Sequence, residues 1–130
     1  MMQPGNVELV REIIHALNRG DVEAMLARMD PDFEWRPLED SPIAGNYRGH
    51  EDVRRYVEDW LSTFDDLRVE LEEPSAVGDH VVVVVRGHGR GRASGIGLYN
   101  RFCQVWTLRR GRAVRMEEYA TRDQGLAALR

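Results

Sequence analysis

Apolar residues near the start of the chain recur at helical spacing: Val7, Val10, Ile13, Ile14 and Leu17, with Gly20 following as a stop signal. Asp21 then caps a second helix whose apolar positions are Val22, Met25, Leu26 and Met29. The tight Asn18-Arg19-Gly20-Asp21 link predicts that the two helices pack as a hairpin. Asp30-Pro31-Asp32 ends the second helix, and Phe33-Glu34-Trp35-Arg36 alternates like a short strand. Pro37 to Gly49, rich in turn formers, reads as a loop. Gly49 introduces a third helix with Val53, Tyr56, Val57, Trp60, Leu61 and Phe64 on its apolar face.

Beyond that helix the period changes to two. Leu67 to Leu71 reads as a strand, Gly78-Asp79 as a turn, and Val81 to His88 as a strand buried on both sides. A Gly-rich span from Gly87 to Gly97 follows, its glycines suited to sharp bends in strands. Tyr99 to Tyr119 then reads as a hairpin, and Gln124 to Leu129 as a short tail helix. Helices followed by sequential strands define an α+β domain, with helices gathered on one face of a curved antiparallel sheet.

The hairpin carries the most chemistry. A three-residue loop, Arg109-Arg110-Gly111, would place Gly111 where positive φ is needed. That register pairs Leu108 with Arg112, Trp106 with Val114, Gln104 with Met116 and Phe102 with Glu118. Phe102, Gln104, Trp106, Val114, Met116 and Glu118 then share one face. An amide and a carboxylate among large apolar groups is how small-molecule pockets are commonly lined. A two-residue loop would instead set Trp106 opposite Arg115. The reverse face, with Cys103, Val105, Thr107 and Tyr119, is also largely apolar. It therefore invites a cover, and a second copy of the chain would supply one.

Composition narrows the classes. The 130 residues make one domain, 1–130, large enough for a single core. A net charge of −4 and a pI near 5.6 give no global pull toward nucleic acid or membrane. The single Cys103 excludes an internal disulfide framework, and no Cys/His cluster has structural-zinc spacing. Met1 to Val10 has no basic stretch followed by an apolar run, so no signal peptide is expected, and the longest apolar run, Val81 to Val85, is too short to span a bilayer. A cytoplasmic location is the expectation.

The order helix-helix-strand-helix and then a four-stranded meander resembles the nuclear transport factor 2-like superfamily, and within it the SnoaL-like domains related to ketosteroid isomerase. The matching segments are Asn18-Arg19-Gly20-Asp21 with Val22-Glu23-Ala24, Tyr47-Arg48-Gly49, and Gly111-Arg112-Ala113-Val114-Arg115-Met116-Glu117-Glu118-Tyr119. Arg122-Asp123 before Leu126-Ala127-Ala128 is similar to the family's closing helix. The resemblance implies a cone whose sheet curls around three N-terminal helices, a hydrophobic pocket, and dimers packed through the outer sheet face. It leaves the chemistry open, because the fold serves isomerases, cyclases, dehydratases, epoxide hydrolases and binding modules.

The residues themselves disfavour the steroid isomerase apparatus of a helix tyrosine, a strand carboxylate base and a protonated acid on the sheet. Counting from Gly20-Asp21, the tyrosine position falls on Ile13 and the base position on Pro37. Counting back from the hairpin, the acid position falls on Gln104, whose amide donates a hydrogen bond but does not titrate. Glu39 and Asp40 lie in the turn-rich loop, where solvated carboxylates are ordinary.

Glu118 and Gln104 are the candidate catalytic pair. A desolvated Glu118 would serve as general acid or base, unless an arginine or water neutralises it at the strand end. Trp35, Trp60, Phe102, Trp106 and Met116 are the candidate substrate-binding walls, since aromatic surfaces suit flat rings. His88 shares strand parity with Arg86 and Arg90 and reads as a surface or interface residue. His80 lies about 26 Å from it along an extended strand, too far to share a metal. Gly87-His88-Gly89-Arg90-Gly91-Arg92 has the spacing of neither a phosphate-binding loop nor a dinucleotide fingerprint.

The expectation is thus an acid-base enzyme of isomerase, cyclase or dehydratase type, without metal or organic cofactor, acting on a hydrophobic polyketide-, steroid- or terpenoid-like substrate. The rival is a non-catalytic ligand-binding or protein-interaction module of the same fold.

Overall fold

The computed structural model describes residues 5–38 and 46–130. Four helices and six strands appear among them. Helices α1 (Asn6–Asn18) and α2 (Val22–Ala27) form the expected hairpin, with the Asp21 carboxylate accepting a hydrogen bond from the Ala24 N–H at 3.1 Å. Strand β1 covers Met29–Arg36, so Met29 and Asp30-Pro31-Asp32 belong to the strand rather than to the end of a helix. Met29 keeps its apolar role there, buried in the core beside Phe33. The segment read as loop contains a two-residue strand, β2 (Tyr47–Arg48), paired with Glu34 and Trp35 of β1. Helix α3 (Gly49–Thr63) follows at once.

Four long strands come next: β3 (Phe64–Val77), β4 (His80–Gly91), β5 (Gly97–Arg109) and β6 (Arg112–Tyr119). The sheet order is β2-β1-β6-β5-β4-β3, antiparallel except for the parallel pairing of β1 with β6. The sheet is curved and does not close. Much of the Gly-rich span is strand: Gly87, Gly89 and Gly91 lie within β4, paired to Asn100 and Leu98 of β5 and Phe64 of β3 respectively. Because β3 is an edge, its outer backbone groups need partners. Asn18 at the end of α1 meets that need at Val69, donating from Nδ2 to its carbonyl at 2.9 Å and accepting from its N–H at 2.8 Å.

Helices α1, α2 and α3 cover one face of the sheet. Leu9, Val10 and Ile13 of α1 pack with Leu26, Phe33, Val53 and Val57 against Val81, Val83 and Val85. The valine run is buried on both sides, as its unbroken apolar character predicts: Val82 turns the other way and joins Cys103 and Val105. Helix α4 (Arg122–Ala127) lies on that second face, with Tyr119, Leu126 and Leu129 completing the cluster. The helices are therefore not all gathered on one face. Cys103, Val105 and Thr107 are already buried within a single chain, so their apolar character requires no second copy.

The hairpin register also differs from expectation. Arg109 pairs with Arg112, leaving a two-residue loop in which Arg110 (φ 52°) and Gly111 (φ 75°) both adopt positive φ. That is the pattern of a type I′ turn, whose twist matches the flanking strands. A bulge follows. Leu108 pairs with Ala113 but Thr107 with Arg115, so Val114 is the extra residue on β6. Beyond it Trp106 faces Met116 and Gln104 faces Glu118. Ala113, not Val114, joins Trp106 and Met116 in the core.

Candidate functional site

A cavity of about 100 Å³ lies between the sheet and helices α1 and α3. Inward-facing residues of β5 at every second position, Leu98, Asn100, Phe102 and Gln104, form its floor. Ile14 and Leu17 of α1, Tyr56 and Trp60 of α3, Trp35 of β1 and Glu118 of β6 form much of the wall around them. A smaller void of about 40 Å³ lies behind it and shares Ile14, Leu17, Trp35, Val57 and Gln104 with it.

Glu118 is the carboxylate of this cavity. The parallel pairing that sets Trp35 opposite Met116 brings the Trp35 indole to the neighbouring Glu118 side chain. Its Nε1–H donates to Glu118 Oε2 at 3.0 Å, and the Leu38 backbone N–H donates to Oε1 at 3.1 Å. Both donors favour the charged form, but burial outweighs them and holds the carboxyl above its ordinary range.

Gln104 stands directly across the strand pair from Glu118 and is 6% exposed. Its Oε1 accepts from the Trp106 indole N–H at 2.9 Å. An indole N–H only donates, so this bond fixes the amide: the carbonyl oxygen is committed and the NH₂ end is left as a donor. A half-buried acid and an oriented amide donor therefore face each other across one wall.

The aromatic residues form a run along the helix side. Tyr56 packs edge-on to Trp35 with ring centroids 4.5 Å apart and against Tyr47 at 4.7 Å. Trp60 stacks on Phe64 at 5.1 Å. Burial pushes the Tyr56 phenol up to about 12, the nearby Glu118 and Tyr47 acting in the same sense and the Trp60 hydrogen bond against it.

Of the residues singled out from the sequence, Trp35, Trp60, Phe102, Gln104 and Glu118 come together at the cavity. Trp106 and Met116 line only the inner void, where they are 2% exposed. No arginine neutralises Glu118 among the described residues; an indole and a backbone N–H hold it instead. Ile13 at the expected tyrosine position is a core residue, and Glu39 and Asp40 lie outside the described residues. His88 sits on the opposite face, 3.4 Å from Glu70, in an ionic strip with Arg86, Glu72 and Arg101. His50 and His80 bond to the Met29 carbonyl and the Thr107 hydroxyl. Among the described residues no three His, Cys, Asp or Glu side chains gather as a metal site. No helix among them is long and apolar enough to cross a membrane.

Among the lining residues that the sequence did not single out are Tyr56, taken only as part of a helix face, and Asn100. The strand alternation that selected Phe102 and Gln104 also reaches Asn100, and that was the available signal.

A curved, unclosed six-stranded sheet with three helices on one face is the nuclear transport factor 2-like fold. Residues 10–116 match the SnoaL-like domain model, and the chain belongs to that family. A nuclear transport factor 2-like protein from Burkholderia thailandensis is 28% identical, with a TM-score of 0.78, covering 100% of this chain and 99% of that one. TerC, co-crystallised with polyporic acid, is 26% identical with a TM-score of 0.77, covering 88% of this chain and 90% of its own. A Jannaschia protein named as a SnoaL-like polyketide cyclase shares the fold at 22% identity and a TM-score of 0.75, covering 95% and 88%. No sequence match to a curated protein was found.

Proposed function

We propose that this chain is a cofactor-independent acid-base enzyme acting on a hydrophobic, ring-bearing carbonyl compound of polyketide, steroid or terpenoid type. The observation that carries this reading is the pairing of a half-buried Glu118, its carboxyl held above the ordinary range by desolvation, with the donor end of Gln104 on one wall of an apolar cavity. Glu118 would move a proton at the carbon beside the carbonyl, and Gln104 would donate to the oxygen as negative charge develops there. Trp35, Trp60 and Phe102 would hold the rings, while Trp106 and Met116 would support that wall from behind. TerC's co-crystal ligand and the Jannaschia protein's name are consistent with ring-bearing ligands of this kind. At about 100 Å³ the cavity is smaller than ordinary ligand pockets of about 300–1,000 Å³, so a fused-ring ligand would project through its mouth or displace side chains.

The second reading, a non-catalytic binding module, is favoured by one specific observation. Both Glu118 oxygens already accept hydrogen bonds from the protein. One experiment separates the two. A fused-ring ketone is incubated in deuterium oxide, and deuterium uptake beside its carbonyl is followed by mass spectrometry. The enzyme accelerates uptake, and Glu118→Gln abolishes the acceleration while fluorescence of the cavity tryptophans still reports binding. A wild-type protein that binds the ketone without accelerating exchange is a binder, and accelerated exchange that survives the substitution overturns the role of Glu118.

We also propose that two copies pair through the outer sheet face. Since α4 covers Cys103 and Val105, the contact would shift to the open strip of β4 and β5, where Tyr99 is 67% exposed beside the Arg86–Glu70–Glu72–Arg101 network.

A further inference from the structure

Two buried side-chain polar atoms lack a hydrogen bond among the described residues: Arg86 Nε and Asn100 Oδ1. The first is compensated, because Arg86 Nε lies 3.2 Å from the Glu72 carboxylate. The second is not. Asn100 Oδ1 is a carbonyl oxygen held in the cavity wall between two apolar neighbours on the same face of β5, Leu98 and Phe102. Buried acceptors of this kind are uncommon in folded chains, and each calls for a specific reason.

Gly87 supplies part of that reason. It stands directly opposite Asn100 on β4 and also lines the cavity. A Cβ at position 87 would collide with Asn100 Oδ1, so the missing side chain is what leaves room for the amide to lie where it does. Glycine within a strand interior is otherwise a liability, and it marks places where something must approach the backbone closely. Glycine and amide form one construction: the unpaired oxygen is buried against Gly87, and a ligand donor meets it when the amide turns toward the cavity that Asn100 lines.

Gln104 lies on the same face four residues further along β5, about 13 Å away at 3.3 Å per residue. Its oxygen is taken by Trp106, so it offers N–H. The cavity floor thus carries an acceptor at Asn100 and a donor at Gln104, with Phe102 between them. That span suits a fused bicyclic hydroxyketone with a hydrogen bond at each end. We infer that Asn100 determines the cavity's specificity by accepting a hydrogen bond from a ligand hydroxyl or N–H, and that the ligand class is a ring compound with such a donor at one end and a carbonyl at the other. The inference rests on the ring-ligand reading above and adds the second polar end to it.

The test is a binding series of 6-hydroxy-1-tetralone, its 6-methoxy ether and 1-tetralone, measured by quenching of the tryptophan fluorescence. The wild-type protein binds the hydroxyketone about tenfold more tightly than either analogue, the usual scale for one buried hydrogen bond. Asn100→Leu reduces that preference to within about twofold while the affinity for 1-tetralone holds. Gly87→Ala, which displaces the amide without removing it, also erodes the preference and serves if the first variant folds poorly. Equal binding of all three ketones by the wild type, or a preference that survives both substitutions, overturns the role of Asn100 alone. Failure of every ketone to bind overturns the ring-ligand reading and this inference with it.

Discussion

Glu118 places an ionisable group in a wall of indole, phenyl and aliphatic side chains, and the cost of charging it there makes stability depend on pH. Its carboxyl binds a proton more tightly in the folded than in the unfolded chain. The folded state therefore holds more protons above the ordinary carboxylate value, and stability falls as pH rises through that window. The contribution is complete below the unfolded value and lost once the folded carboxyl ionises. Urea unfolding of the wild type and Glu118→Gln across this range should show the variant lacking that decline, the difference between the two curves isolating the group. Carboxyl carbon shifts of the folded protein should place the Glu118 titration at the upper end of that decline. Strand alternation made Phe102, Gln104 and Glu118 legible from the sequence as one face. Asn100 lay in the same alternation, but its meaning depends on Gly87 standing opposite it on another strand, which local pattern does not reveal.

At the scale of the hairpin, the expected face was right and the expected partners were wrong, for one reason. A three-residue loop and a two-residue loop with one bulged residue both pair even-numbered positions with even-numbered ones. Apart from Val114, whose place Ala113 takes, the same side chains share a face in either case, but the bulge moves Glu118 from Phe102 to Gln104. The turn keeps a residue that fits it poorly. Arg110 holds φ at 52°, where a residue with a Cβ is strained and asparagine is far better tolerated. Arg110→Asn should stabilise the protein by about 1 kcal/mol in equilibrium denaturation, with cavity binding unchanged. Helix α4 shows the opposite economy of space. A Cβ on Gly125 would meet Cys103 Sγ at 2.8 Å and Val105 Cγ2 at 3.1 Å. Gly125→Ala should cost about 1–3 kcal/mol and speed modification of Cys103 by an aromatic disulfide reagent, because overpacking lifts the helix from the sheet. The sequence pattern located this helix. Which face it covers followed only from the packing of Leu126 and Leu129 against Val82, Cys103 and Val105.

For the whole molecule, the element order and the SnoaL-like motifs together specified the architecture, since the Asn18-Arg19-Gly20-Asp21 link and the hairpin bracket nearly the whole match of residues 10–116. Self-association was less legible. The reverse face looked apolar enough to need a partner, yet α4 covers its centre and leaves an ionic strip with Tyr99 on it. If two copies meet there, sedimentation at micromolar concentration should give a dimer that Tyr99→Glu splits. Salt should weaken it, since exposed ion pairs are screened within about 10 Å at 0.1 M. A wild-type monomer under those conditions would remove the dimer and leave the fold intact.

The small void behind Gln104 has a consequence under hydrostatic pressure. Ile13, Met25, Phe33, Trp106 and Met116 surround about 40 Å³ of space that the unfolded chain does not retain. Compression favours whichever state occupies less volume, and unfolding of globular chains typically shrinks the system by about 20–100 mL/mol. The protein should therefore unfold reversibly when squeezed at room temperature, with tryptophan emission as the reporter. Val57 touches both hollows. Lengthening it by one methyl in Val57→Ile should raise the midpoint pressure and reduce the volume change, turning an empty space in the core into a measurable resistance to compression.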